Sequence, residues 1–270
     1  MAGELEGRVA LVTGANQGIG AATAIALARL GADVAISYFP SDAVADEYPE
    51  AFARERTKDG TAVVAAIEAL GRRGVGVRAD FTDPEAPSAL FAAVEAALGP
   101  VDILVNNASG IAARDTFRGG GADAIGRVAA FVNSGSFDAQ FLVNARGGAL
   151  MIAAFAQSLQ TRGATWGRIV SLTSGGPMGF PGEASYGAAK AALDNYTMTA
   201  SIELADFGVT ANVVYPPVTD TGWVTDDVRE LVAKSNDHVH VAEPSEVAEV
   251  IAWLCTDAAR LVTGNVIRLR

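Results

Sequence analysis

The chain has 270 residues, 50% of them hydrophobic, and carries 31 acidic against 20 basic side chains for a net charge of −11. One α/β domain of that size buries about three quarters of its unfolded surface and needs no staple, while the acidic balance argues against nucleic acid and anionic membrane as partners. The single Cys255 rules out an internal disulfide, and its setting in Ile-Ala-Trp-Leu-Cys reads as a buried helical thiol suited to a reducing cytoplasm.

Glu4 and Glu6 precede the first apolar run, the opposite of a signal peptide, and no unbroken apolar stretch of ~18 residues offers a membrane span. Strand signals fall near 8–13, 33–38, 75–79, 101–106, 167–173, 209–215 and 264–269, with helical patterns between them. That alternation predicts an α/β fold of the doubly wound Rossmann type. It would hold a seven-stranded parallel sheet with helices on both faces, in one domain spanning 1–270.

The first strand, Arg8-Val-Ala-Leu-Val-Thr-Gly14, runs into a helix expected over Ile19 to Leu30. In the intervening Gly14-Ala-Asn16-Gln17-Gly18-Ile19-Gly20, Gly14 permits a tight turn. Gly18 and Gly20 let backbone approach a pyrophosphate and the sheet, with the anion on the helix N-terminus. The spacing is Gly-x-x-x-Gly-x-Gly, not the general Gly-x-Gly-x-x-Gly. The second strand ends in Tyr38-Phe39, which supplies neither an acid for a ribose 2′-hydroxyl nor an arginine for a 2′-phosphate, and Gln17 adds no charge. With no carboxylate to repel a phosphate, NADP(H) is favoured over NAD(H). Residues 40–60, with Pro40, Pro49 and many charges, read as an extended segment near the adenosine end.

Val101-Asp-Ile-Leu-Val-Asn-Asn-Ala108 and Trp166-Gly-Arg-Ile-Val-Ser-Leu-Thr-Ser174 are further buried strands with polar ends. Ligands of an open parallel sheet sit beyond the carboxyl ends of its strands, so Asn107 and Ser174 are expected to converge on the nicotinamide region. Taken singly, each also reads as a turn residue. Two substrate loops are expected, 111–136 with Arg114, Arg118 and Arg127, and 216–240. The arginines otherwise read as a solvated loop. Met178, Phe180, Pro181 and Trp223 would give an apolar wall, fitting a small hydrophobic carbonyl or alcohol.

Residues 184–206 read as a helix on which Tyr186 and Lys190 stack one turn apart, roughly 6 Å from each other. At an effective dielectric of about 20 the ammonium is worth roughly 3 kcal/mol, or about two pKa units. That would draw a phenol from ~10 toward neutrality, where it can donate or accept a proton. Alone, the pair also reads as two surface residues. His238 and His240 lack further ligands at metal spacing, so no metal is expected.

Five motifs in this order resemble the short-chain dehydrogenase/reductase family, in its compact single-domain branch, over essentially the whole chain. They are Thr13-Gly-x-x-x-Gly-Ile-Gly20, Asp80 after a strand, Asn106-Asn-Ala108, the serine-bearing strand end at 171–174, and Tyr186-x-x-x-Lys190. The resemblance implies an NAD(P)-dependent oxidoreductase that reduces a ketone or 3-oxoacyl group to a secondary alcohol, or the reverse. Ser174 and Tyr186 would polarise the carbonyl, Tyr186 would donate the proton, Lys190 would hold the ribose, and Asn144 would fix a relay water. It also implies adenine contacts from Asp80 with Phe81 beside it, carboxamide contacts from Thr219 and Thr221, and a homotetramer or homodimer. The Ser174–Tyr186 interval is one residue short of the family's, which makes Thr173 a rival for the serine role. Asn-Asn-Ala-Gly has become Asn-Asn-Ala-Ser109, Pro-Gly has become Pro216-Pro217, and the tail lacks its usual glycine. An epimerase or dehydratase that cycles bound NAD uses the same tyrosine and lysine, but the missing second domain counts against it. A nucleotide-sensing binding protein would not need the full catalytic set.

Overall fold

The computed structural model describes residues 3–41, 49–110, 114–118, 128–174 and 179–270. Val9–Val12 (β1), Asp33–Tyr38 (β2), Gly74–Arg78 (β3) and Ile103–Asn106 (β4) form one half of a parallel sheet. Two short strands follow, Asp115–Thr116 (β5) and Ala130–Phe131 (β6), and then Gly167–Leu172 (β7), Val209–Tyr215 (β8) and Val266–Arg268 (β9) complete the sheet. The 7-stranded order is β3-β2-β1-β4-β7-β8-β9, as the doubly wound pattern predicts. β1, β4 and β7 are buried at every position, which is why they read as continuous apolar runs and not as alternating ones.

Alternate strand residues feed two cores. Ala10 and Val12 pack with Gly18–Arg29 (α1), Thr61–Ala69 (α3) and Pro244–Leu254 (α9) on one face. Val9 and Leu11 pack with Ala86–Leu98 (α4), Gly148–Thr161 (α6) and Ala184–Glu203 (α7) on the other. The remaining helices are Glu50–Arg56 (α2), Ser134–Gln140 (α5) and Asp226–Ala233 (α8). The strand order reverses between β1 and β4, so the crevice lies at their carboxyl ends, next to Gly14 and Asn107.

Several expectations need correction. The α7 helix stops at Glu203 and gives way to a 3-10 turn over Ala205–Phe207. The expected loop 216–240 contains α8, whose first turn is capped by Thr225. The expected loop 111–136 contributes β5 and β6, which pair in parallel, and the start of α5; residues 111–113 and 119–127 lie outside the described residues, as do 42–48 and Met178. The run Ser134–Thr161 is 28 residues long and apolar enough by length and composition to cross a membrane, although Asp138, Asn144 and Arg146 interrupt it. Within it Met151, Ile152, Phe155 and Leu159 are buried in the second core.

Phe155 is 0% exposed, and a β-carbon on Gly167 would lie 3.0 Å from its ring, so the helix and β7 are in direct contact there. Phe155→Ala is expected to cost about 3–5 kcal/mol, measurable as a lowered urea midpoint; a loss below 1 kcal/mol would contradict this packing.

Candidate active site

The site begins where β1 ends. Gly14 has φ 62°, and a β-carbon there would lie 2.7 Å from the Ala108 Cα. No side chain fits a left-handed turn pressed so closely against the neighbouring strand end. Thr13 Oγ1 accepts the backbone N–H groups of Asn107 and Ala108 at 3.0 Å each. The Asn107 amide donates to the carbonyls of Thr13 (2.9 Å) and Gly14 (2.8 Å), and occupies the space that a side chain on Gly20 would need. Asn107 therefore staples the glycine turn to β4.

The α1 helix starts at Gly18 with no side-chain cap and no acid in its first turn, so its leading N–H groups are offered to an anion. Gln17 Oε1 is buried without a hydrogen-bond partner among the described residues. An uncapped helix start and a glycine cradle together fit a dinucleotide pyrophosphate. A β-carbon on Gly18 would lie 2.9 Å from Thr221 Cγ2, so Thr221 leans on this cradle. Thr219 turns inward: it is buried, and its hydroxyl donates to the Pro217 carbonyl at 2.9 Å. Trp223 Nε1 donates to the Thr219 carbonyl at 3.0 Å, anchoring the expected wall residue to the same turn.

At the other end, Asn16 donates its amide to the Lys58 carbonyl at 2.9 Å, tying the glycine turn to the segment before α3. The Asp80 carboxylate accepts the N–H (2.9 Å) and hydroxyl (2.7 Å) of Thr82. Phe81, beside Asp80, belongs to the second core and packs on Gly147. The periodicity of the sequence does not reveal which way a residue just past a strand points.

The α7 helix carries the acid–base pair. Lys190 is 2% exposed, which removes the reading of a surface pair. Its Nζ lies 5.7 Å from the centre of the Tyr186 ring and donates to the Leu172 carbonyl at 3.1 Å. Burial lowers the Lys190 pKa to about 8, with the nearby Asp194 charge opposing the drop. Asp194 moves the other way, raised by burial against the pull of Thr173 and Lys190. Thr173 is buried between β7 and α7, whereas Ser174, one residue on, is half-buried at the strand end. That contrast favours Ser174 over its rival.

Asn144 sits in a π-helical turn, Phe141–Gly147, where α5 runs into α6. Its amide donates to the carbonyl (3.1 Å) and side-chain Oε1 (2.8 Å) of Gln140, and its own Oδ1 is buried without a partner among the described residues. Such single π turns are rare and concentrate at functional sites.

A brace at the start of α7 was not anticipated. The Asp115 carboxylate accepts the Ser185 N–H at 2.9 Å and the Ser136 hydroxyl at 2.8 Å. Burial pushes this carboxyl up, but bonds from Ser185 and Ser136 bring it below its ordinary range. Arg114, expected on a solvated loop if not facing substrate, is 7% exposed and pairs with Glu183 at 3.3 Å. Gly187 is required because a β-carbon would lie 2.6 Å from the Phe180 Cβ, and the Phe180 and Tyr186 rings are 6.1 Å apart. An acid followed by two serines at long separation carries no local signal, so only the folded chain discloses this contact. His240 faces the Glu246 carboxylate at 2.9 Å, at the start of α9.

Comparison with known proteins follows the same lines. The family model described as Enoyl-(Acyl carrier protein) reductase matches residues 14–269. The chain is 34% identical over 263 residues to a 3-oxoacyl-[acyl-carrier-protein] reductase of Synechocystis sp., covering 97% of this chain and 94% of that one. A short-chain dehydrogenase from Burkholderia cenocepacia J2315, solved in complex with NADP, superposes with a TM-score of 0.78 at 34% identity, covering 98% of this chain and 97% of that one. The angucycline C-6 ketoreductase LanV with bound NADP gives a TM-score of 0.80 at 30% identity, covering 99% and 96%.

The buried ammonium has a consequence for stability. Lys190 titrates at about 8 when folded against 10.5 for the free side chain. Between those values the unfolded chain binds the extra proton, so stability rises with pH; below them the burial of charge costs at most about 3 kcal/mol. Lys190→Met is expected to raise the urea midpoint at pH 7 and to lose that advantage as the pH approaches 10.5. A midpoint gain that is the same at both ends of the range would contradict a desolvated ammonium.

Proposed function

Because the chain belongs to the short-chain dehydrogenase/reductase family, we propose that it is an NADP(H)-dependent reductase of a ketone or 3-oxoacyl group, acting through Ser174, Tyr186, Lys190 and Asn144. The observation that carries this reading is the buried Lys190 ammonium, 5.7 Å from the Tyr186 ring and on the same sheet edge as the glycine cradle. The names of the NADP-bound ketoreductase and the 3-oxoacyl reductase support it.

The nicotinamide, when bound, supplies the hydride in reduction and takes it up in oxidation. Ser174 hydrogen-bonds the carbonyl oxygen, and Tyr186 gives that oxygen its phenolic proton as negative charge builds there. Lys190 lies close enough to stabilise the resulting phenolate, most strongly while it is charged, below about 8. The unpaired Oδ1 of Asn144 is suited to holding a water that returns the proton. In the oxidative direction each proton step reverses.

Phe180, Pro181 and Trp223 fit a small hydrophobic carbonyl or alcohol as substrate. Exposed apolar side chains on α7 (Tyr196, Ile202) and around β9 (Trp253, Leu261, Val266) support assembly as a homodimer or homotetramer. The buried Cys255 thiol, pushed up to about 12 by its surroundings, is consistent with a cytoplasmic setting.

Tyr186→Phe removes the proton donor and leaves the cradle intact. Turnover of ketones followed at the nicotinamide absorbance should fall by about 10²- to 10⁴-fold, while NADPH binding by fluorescence stays within a factor of about two. Persistent turnover would sink the assignment.

A further inference from the structure

The end of β2 offers no arginine of its own for a 2′-phosphate, yet the fold brings one there from the neighbouring strand. Arg78 is the last residue of β3 and the register partner of Tyr38. Its guanidinium lies 4.5 Å from the centre of the Phe39 ring, and Phe39 is itself 37% exposed. An aromatic face holds a guanidinium without accepting its in-plane N–H bonds, so the fork of donors stays available to a planar or tetrahedral anion. Among the described residues Arg78 makes no ion pair.

The surroundings favour an anion at this spot. Asn16 of the glycine turn holds the Lys58 carbonyl, and Gly60 lies close to the Tyr38 ring, so the glycine turn, the end of β2 and the turn before α3 meet beside Arg78. Among the described residues of this region three carboxylates have partners other than Arg78. Asp80 accepts from Thr82, Asp59 accepts the Thr61 N–H at 2.9 Å, and Glu55 pairs with Lys58. Lys58 is paired with Glu55, while the Arg78 guanidinium is presented beside the end of β2.

We propose that Arg78, held in place by Phe39, is the residue that takes the 2′-phosphate of NADP(H) and sets the preference for it over NAD(H). This rests on the reading of the glycine turn as a dinucleotide cradle. In place of an arginine following β2, the guanidinium comes from β3 and the β2 end supplies the ring that positions it.

The test uses adenosine 2′,5′-bisphosphate against 5′-AMP, each titrated by calorimetry into the full-length wild type and into Arg78→Gln, Arg78→Lys and Phe39→Leu. The wild type should bind the bisphosphate more tightly. Arg78→Gln should weaken that ligand roughly tenfold or more and leave 5′-AMP unchanged, as expected for a lost charge-assisted contact. Arg78→Lys should recover part of the loss, Phe39→Leu should show a smaller one, and the wild-type preference should shrink with added salt. Equal binding of the two ligands by the wild type, or a preference that survives Arg78→Gln, would overturn the inference while leaving the cradle intact. Failure of either ligand to bind would overturn the cradle reading and this inference with it.

Discussion

The Lys190 ammonium is held out of water at the end of β7, and the arrangement of the site follows from that. Its proton is retained against desolvation by the Leu172 carbonyl and by Asp194, one helical turn further along α7. Burial draws the lysine down and the aspartate up, and the attraction between their charges opposes both shifts. The charge can act on the Tyr186 phenol only if both residues keep their place on the face of α7 turned to β7. Each residue of helical slip rotates a side chain by about 100°, so the start of α7 has to be fixed.

The brace built from β5 and the residues before α7 meets that demand. Asp115 clamps the Ser185 backbone and the Ser136 side chain at once, joining the starts of α7 and α5. Arg114 and Glu183 add a pair at the same corner, and the bare Gly187 lets Phe180 lie against the helix beside Tyr186. The segment therefore has two physical characters. Its stem is buried and polar and braces the start of α7, while Phe117 and Phe131 further along remain exposed.

The strands were legible because a parallel strand buried on both faces must be written as an uninterrupted apolar run. Tyr186 and Lys190 were legible because helix geometry alone converts four residues of spacing into one turn. Other features depend on contacts that no local pattern encodes. Asn107 meets Thr13 and Gly14 from more than 90 positions away, and Asp115 meets Ser185 from 70. The directions of the Phe81 and Thr219 side chains are decided by packing against Gly147 and by the turn at Pro217, which no local pattern reveals. β5 and β6 are two residues each, too short to show any period.

Beneath the acid–base pair the packing turns polar. The Asn106 amide donates to Ser171 Oγ at 3.4 Å, and Thr197, two turns after Lys190, donates to the same oxygen at 2.8 Å. Around this chain the side-chain oxygens of Asn106 and Asn144 are buried without partners among the described residues. An unmet buried polar group costs about 1–3 kcal/mol, so these oxygens are held in the interior at a cost to stability. The π turn at Asn144 adds to this, since it gives up regular helical pairing at the point where Asn144 enters the interior. Polar groups left unmet beside a desolvated amine and a phenol are what a proton path through the interior requires, because each can exchange a hydrogen bond with water as charge moves past. The Lys190 proton itself is kept by the Leu172 carbonyl and the Asp194 charge, so stability forgone between β7 and α7 lies beside the chemistry proposed at Tyr186.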